Sequence, residues 1–179
     1  MEIQEEKIKG VFQIKPTIHR DIRGSFLESY SNHKYEIIGE ELLQDNMSIS
    51  KKYVLRGLHF QNPPYTQGKL TMVLKGKALD IILDLRKGSD TYGEYVKIIL
   101  DSTLKNQLWI PPGCAHGFIS LEDDTIFFYK CSSYYNSASE RTIQWNDPTL
   151  HIDWGVKNPI VSEKDQHGEA FKNFISPFE

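Results

Sequence analysis

The chain has no apolar run approaching the ~20 residues of a membrane-crossing helix. Its opening MEIQEEKIKG is charged where a signal peptide carries an apolar stretch. No membrane contact is expected, and the expected location is the cytoplasm. Basic residues are not in excess either: 21 Lys and Arg against 24 Asp and Glu give a net charge of −3. A nucleic-acid surface usually needs a basic stripe, so no nucleic-acid partner is expected, while a small anion needs only two or three local cations. Cysteine is scarce, with Cys114 and Cys131 alone. Their spacing is not that of a zinc site, and their apolar contexts read as buried reduced thiols in preference to a disulfide. Helical periodicity is weak; its best stretch lies near Asn32 to Leu42, with another short turn expected near the C-terminus. No repeat of fixed period, low-complexity tract or linker divides the 179 residues, which suit one domain, 1–179.

What is present is a succession of short β patterns. KLTMVLKG (69–76), KALDIILDLR (77–86), EYVKIIL (94–100), NQLWIP (106–111), HGFISL (116–121) and TIFFYKCSSYY (125–135) are rich in β-branched and aromatic residues. Lys-Gly, Lys-Gly-Ser-Asp, Pro-Pro-Gly and Glu-Asp-Asp separate them. Such spacing predicts an all-β fold, an antiparallel jelly-roll sandwich or barrel with a few short helices. A jelly roll encloses a pocket between its sheets, so polar residues inside apolar strands become candidates for a site.

The densest such segment is VLRGLHFQNPPYTQGKL (54–70), which carries Arg56, His59 and Lys69. As a regular strand, Val54 to Phe60 would put Leu55, Gly57 and His59 on one face and Arg56, Leu58 and Phe60 on the other. A histidine among aliphatic residues can stay neutral and act as a base near pH 7, and nearby cations suit an anion or a developing negative charge. The bland alternative is a core histidine bonded to backbone, with solvated cations beside it. PPGCAHGF (111–118) is a tight turn feeding a strand, with His116 aimed from its start. Its Pro-x-Gly-x-x-His spacing looks like the second motif of the cupins, where the histidine often binds a metal. A metal cupin would also need a His-x-His pair, and here the corresponding place reads His59-Phe60-Gln61. Two histidines without a third nitrogen or an evident carboxylate make a poor metal site, so neither metal nor cofactor is expected.

Taken in order, DIRGSFLESY (21–30), QDNMSIS (44–50), VLRGLHFQ (54–61), QGKL (67–70), DLRKGSDTYGEY (84–95), QLWIPPGCAHGF (107–118), YKCSSYYNSASE (129–140), WNDP (145–148) and SEKD (162–165) cover nearly the whole chain. In them the chain resembles the dTDP-4-dehydrorhamnose 3,5-epimerases, metal-free cupins of deoxysugar biosynthesis. The resemblance implies inversion of C3 and C5 of dTDP-4-dehydro-6-deoxy-D-glucose through an enolate, on the way to dTDP-L-rhamnose. It implies His59 as general base, Asp165 as the carboxylate orienting it, Lys69 as the cation on the enolate oxygen, and Tyr129 as general acid. It further implies Arg56 and Lys164 at the diphosphate or sugar hydroxyls, and Arg23, Glu28, Gln44 and Asn46 at the nucleotide. Tyr135 would stack on the base, Phe26 would add apolar wall, and His116 and Glu140 would contact substrate. In the family the segment Arg23 to Glu28 reaches into a partner's site, so a homodimer is implied.

The chain departs from the family pattern in two places. Gly155 stands where proline commonly follows the tryptophan, and QHGEAFKNF follows Asp165 in place of a short Pro-containing ending. Both lie near the loop carrying Lys164 and Asp165. Three other readings of the same residues are a single-carbon epimerase of another nucleotide-linked 4-keto sugar, a catalytically silent sugar-nucleotide binder, and a metal-dependent cupin.

Overall fold

The computed structural model describes residues 1–179. Fourteen strands follow one another: β1 (Glu2–Glu5), β2 (Phe12–Lys15), β3 (His19–Asp21), β4 (Gly24–Phe26), β5 (Gln44–Ser50), β6 (Val54–Gln61) and β7 (Lys69–Lys75). Then come β8 (Lys77–Asp84), β9 (Tyr95–Asp101), β10 (Gln107–Ile110), β11 (Cys114–Ser120), β12 (Thr125–Cys131), β13 (Glu140–Thr142) and β14 (Ile160–Val161). One sheet runs β1-β2-β10-β7-β12-β5; the other runs β13-β6-β11-β8-β9, with β14 added in parallel to β6. This is the expected antiparallel jelly-roll sandwich. The β3–β4 hairpin forms a sheet of its own.

The second sheet is apolar on both faces, which is why KALDIILD reads as an almost unbroken apolar run. Its inner face meets the first sheet in a core of Val73, Ala78, Ile82, Ile98, Leu108, Phe118, Phe127 and neighbours. The stacked rings of Phe118 and Phe127, 3.9 Å apart, tie the sheets together. The outer face is covered by the chain's last third: Leu58, Phe60, Ile81, Leu83 and Ile119 pack with Ile143, Leu150, Trp154 and Phe178. Phe174 and Phe178 both meet Phe60 edge-on. Cys114 and Cys131 are buried and free.

Three local expectations are corrected. The pattern near Asn32 to Leu42 yields only a 3₁₀ turn at Glu36–Ile38, with no side-chain cap at its start and Gly39 at φ +67° ending it. The strand expected over 125–135 stops at Cys131. Regular alternation along β6 also fails. Arg56 and His59 both face inward, whereas Leu55 and Leu58 both pack outward. The cause is a β-bulge: His116 pairs with His59 and Phe118 with Arg56, so β6 carries one extra residue against β11. Gly57 sits there at φ +136°, and a Cβ would overlap Gly117 Cα and lie 2.9 Å from the His116 carbonyl. Only glycine fits, and it aims both functional side chains the same way.

Candidate active site

Between the sheets lies a cavity of about 550 Å³ lined by Arg56, His59, Lys69, His116, Tyr129, Glu140, Lys164 and Asp165, with Ser48, Phe118, Ser162 and others. β6 and β11 of the second sheet contribute Arg56, His59 and His116; β7 and β12 of the first contribute Lys69 and Tyr129. His59 and Tyr129 therefore stand on opposite walls. A smaller recess of about 130 Å³ adjoins it, sharing His59, Lys69, Tyr129 and Glu140 and adding Gln44, Asn46 and Tyr135.

The Nε2 of His59 lies 2.6 Å from Asp165 Oδ1, while Asp165 Oδ2 accepts the Gly57 N–H at 3.2 Å. Burial pushes the Asp165 carboxyl up. The His59 hydrogen bond and charge, with Gly57 and Ser162, outweigh that and hold it below the usual carboxylate range. Asp165 thus stays ionised at neutral pH and fixes Nε2 as the protonated nitrogen, leaving Nδ1 to the cavity.

The carboxylate rides on the one-turn helix α1 (Glu163–Gln166), where Ser162 Oγ accepts the Asp165 N–H at 3.1 Å. Ser-Glu-Lys-Asp is a local start signal in which serine satisfies an orphan helix donor. The turn is anchored on both sides. Before it, β14 pairs with the start of β6; after it, Glu169 N–H donates to the Thr142 carbonyl at 2.8 Å, and Thr142 pairs with His59. Base and carboxylate are thus set by one strand and its neighbours. With this ending Asp165 faces His59. Gly155 takes φ +69°, a backbone angle closed to proline, so this loop turns where a proline could not.

Lys69 is buried, and its ammonium makes no bond to the chain yet is not sealed off, so it opens onto the cavity. Burial holds its pKa below the ordinary lysine value, with the nearby Cys131, Asp80 and Glu140 opposing that only in part. Burial pushes the Tyr129 phenol up to about 12, so it stays protonated at neutral pH and can act as an acid. Glu140 is a hub, accepting from Tyr135 Oη at 2.8 Å and pairing with Lys164 at 2.5 Å. Gln44 accepts the Tyr135 N–H at 2.9 Å and donates to Asn46 at 3.0 Å.

Arg23, Phe26 and Glu28 are not brought to this cavity. Arg23 forks onto Asp21 at 2.6 Å, Glu28 pairs with Lys34 at 2.9 Å, and Phe26 is 70% exposed on the hairpin. Asp80, which none of the sequence motifs marks, pairs with His116; its one signal is an acid at an inward position of an apolar strand. Ser162 was missed as a cap, and Ser48 as a cavity hydroxyl, buried and without a partner. No three His, Cys, Asp or Glu side chains gather with metal-holding geometry.

A family model described as dTDP-4-dehydrorhamnose 3,5-epimerase matches residues 5–173. The curated dTDP-4-dehydrorhamnose 3,5-epimerase of Shigella flexneri is 42% identical, covering 96% of each chain. The crystal structure of dTDP-4-dehydrorhamnose 3,5-epimerase from Elizabethkingia anophelis superposes with a TM-score of 0.92 at 40% identity, over 97% of each chain. That of the dTDP-6-deoxy-D-glucose-3,5-epimerase of Legionella pneumophila, in complex with dTDP-4-keto-L-rhamnose, gives 0.89 at 43% identity, over 93% of this chain and 90% of that one. The residues lining the cavity and the match along the whole chain agree: this protein belongs to the dTDP-4-dehydrorhamnose 3,5-epimerase family.

Proposed function

We propose that this protein is an isomerase that inverts C3 and C5 of dTDP-4-dehydro-6-deoxy-D-glucose to give dTDP-4-dehydro-L-rhamnose. The observation that carries this reading is a carboxylate-held imidazole and a protonated phenol on opposite walls of one cavity, with the Lys69 ammonium opening onto it from the phenol's side. His59 Nδ1 takes the proton alpha to the C4 ketone. The C–H electron pair becomes the enolate double bond, and the oxygen charge is met by Lys69. Tyr129 then gives a proton to the same carbon from the other side, inverting it. At each carbon one proton leaves and one arrives, and exchange with solvent returns His59 and Tyr129 to their starting states between the two inversions, so no redox partner is needed.

The barrier shows why the whole set is required. Such a proton is less acidic than imidazolium by more than about ten pKa units, well over ~10 kcal/mol at ~1.4 kcal/mol per unit. One aimed donor contributes about 3–4 kcal/mol. An ammonium, the Asp165-stabilised imidazolium and a cavity that excludes water must act together.

In this reading Arg56 and Lys164 meet the diphosphate, with Arg suited to a bidentate contact. Gln44, Asn46, Tyr135, Glu140 and His116 contact base and sugar. The protein is read as one domain working in the cytoplasm as a homodimer. Exposed Ile22 and Phe26 on the β3–β4 hairpin, and exposed Met47 and Ile49 on the edge strand β5, support the pairing. Arg23, Phe26 and Glu28 would then enter the partner's cavity. Proton NMR of dTDP-4-keto-6-deoxyglucose in deuterium oxide tests the reaction. Deuterium at both C3 and C5 is expected; one labelled carbon makes the protein a single epimerase, and none makes it a binder.

A further inference from the structure

A second histidine–carboxylate pair lies in the floor of the same cavity. Asp80, on β8, is fully buried. One of its oxygens meets His116 Nε2, and the other accepts the Thr71 hydroxyl at 3.0 Å. Asp80 belongs to the second sheet and Thr71 to the first, so this carboxylate bridges the two sheets beneath the cavity. Thr71 is two residues from Lys69 on β7 and shares its face, and Tyr129 pairs with Thr71 across to β12. Asp80 therefore lies under three groups that the reaction uses.

We propose that Asp80 is a positioning residue: it holds His116 with the lone pair of Nδ1 turned to the cavity, and it is the buried counter-charge that keeps Lys69 an ammonium. The proposal rests on the epimerase reading. His116 Nδ1 has no partner in the chain and is not sealed off, so it opens onto the cavity. A carboxylate oxygen against Nε2 calls for the proton on that nitrogen and makes Nδ1 an acceptor for a sugar hydroxyl. The ionisable groups facing His116 are Asp80, Lys69 and His59; those facing Lys69 are Asp80, Cys131, Glu140 and His116. Among these, Asp80 is the one fully buried carboxylate. An ammonium in so apolar a place loses its proton unless an opposite charge is close.

Asp80→Asn tests this, because the amide keeps the size and can still accept from Thr71. Its N–H₂ would donate to His116 Nε2 and force the proton onto Nδ1, the wrong tautomer. The expected result is a fall in kcat of about tenfold or more, with the alkaline limb of the pH profile moved down by about one unit. Nitrogen-15 NMR of His116 in the variant should show the inverted tautomer. A variant of lowered melting temperature but unchanged pH profile and tautomer would reduce Asp80 to a structural role and overturn the proposal. The wild type alone decides if the variant does not fold. Its His116 should be neutral with the proton on Nε2 throughout the active pH range, and a proton on Nδ1 contradicts the proposal. Absence of any substrate exchange in the wild type would instead sink the epimerase reading, and the nitrogen spectrum separates the two failures.

Discussion

The His59–Asp165 pair joins a strand to a helical turn 106 residues further along the chain, whereas His116–Asp80 joins neighbouring strands of one sheet. The first imidazole is 28% exposed at its side chain, the second 7%. The same two residue types are thereby fitted for different work. In the proposed reaction His59 works from a half-open site beside an ionised carboxylate. At His116 burial pulls the pKa down, Asp80 opposes it, and the result is a group below its ordinary value that stays neutral and orients. In the proposed scheme it is burial, more than pairing, that separates the base from the fixture.

Substituting each histidine would break or sharpen this contrast. His59→Asn is expected to lower kcat on the order of 10³-fold, in the range of a lost general base. His116→Asn should cost about tenfold and act partly on KM, as loss of a hydrogen-bonding contact does. Equal losses in steady-state kinetics would erase the distinction. Second only to His59→Asn, Asp165→Asn should cost about 10²- to 10³-fold, because the amide selects the wrong tautomer of His59. Asp165 is held below its unfolded value, so its contribution to stability is present above that value and disappears as the pH falls through the folded one. Acid melts of wild type and Asp165→Asn should accordingly converge at low pH.

Tyr129→Phe separates the two walls. Proton abstraction by His59 remains, while return of a proton from the opposite wall is lost. Solvent deuterium should enter the substrate carbon with retention while epimer formation falls about 10²-fold. Loss of exchange in step with turnover would make Tyr129 part of the abstraction step.

The smallest effect on activity is expected at a third buried carboxylate, Asp84, four residues along β8 from Asp80. It is fully bonded by Arg86 at 2.8 and 2.9 Å, Ser89 at 2.6 Å and Thr91 at 2.7 Å. Asp84→Ala should cost about 3 kcal/mol in denaturant unfolding, the penalty for stranding a buried partner, and leave the kcat of the folded fraction unchanged. A large change in kcat there would show that the floor pair is nothing special.

The strands from Lys69 to Cys131 were legible because runs of β-branched and aromatic residues end at Lys-Gly or Pro-Pro-Gly breaks. β1 to β4 and β13 are three or four residues long and mostly polar, too short to show a period. The cover of the outer face was not legible at all. Ile143, Leu150, Trp154 and Phe178 are scattered through loops and have no periodicity to read. At the site, the family motifs marked His59, Lys69, Tyr129 and Asp165, and all four line the cavity. Strand parity misassigned Arg56 because a bulge is a pairing property: it needs β11 in place before it exists. Asp80 escaped for a related reason. Within ALDIILD it looks like the next acid, Asp84, and only the partners above each one tell them apart.

A crystal structure with an unreactive dTDP-hexose lacking the C4 ketone tests the central claim most directly. His59 Nδ1 and Tyr129 Oη should approach opposite faces of the sugar at about 3–3.5 Å, with Lys69 Nζ nearest the C4 substituent. Both groups on one face, or a hexose bound outside the space between the two sheets, would contradict it.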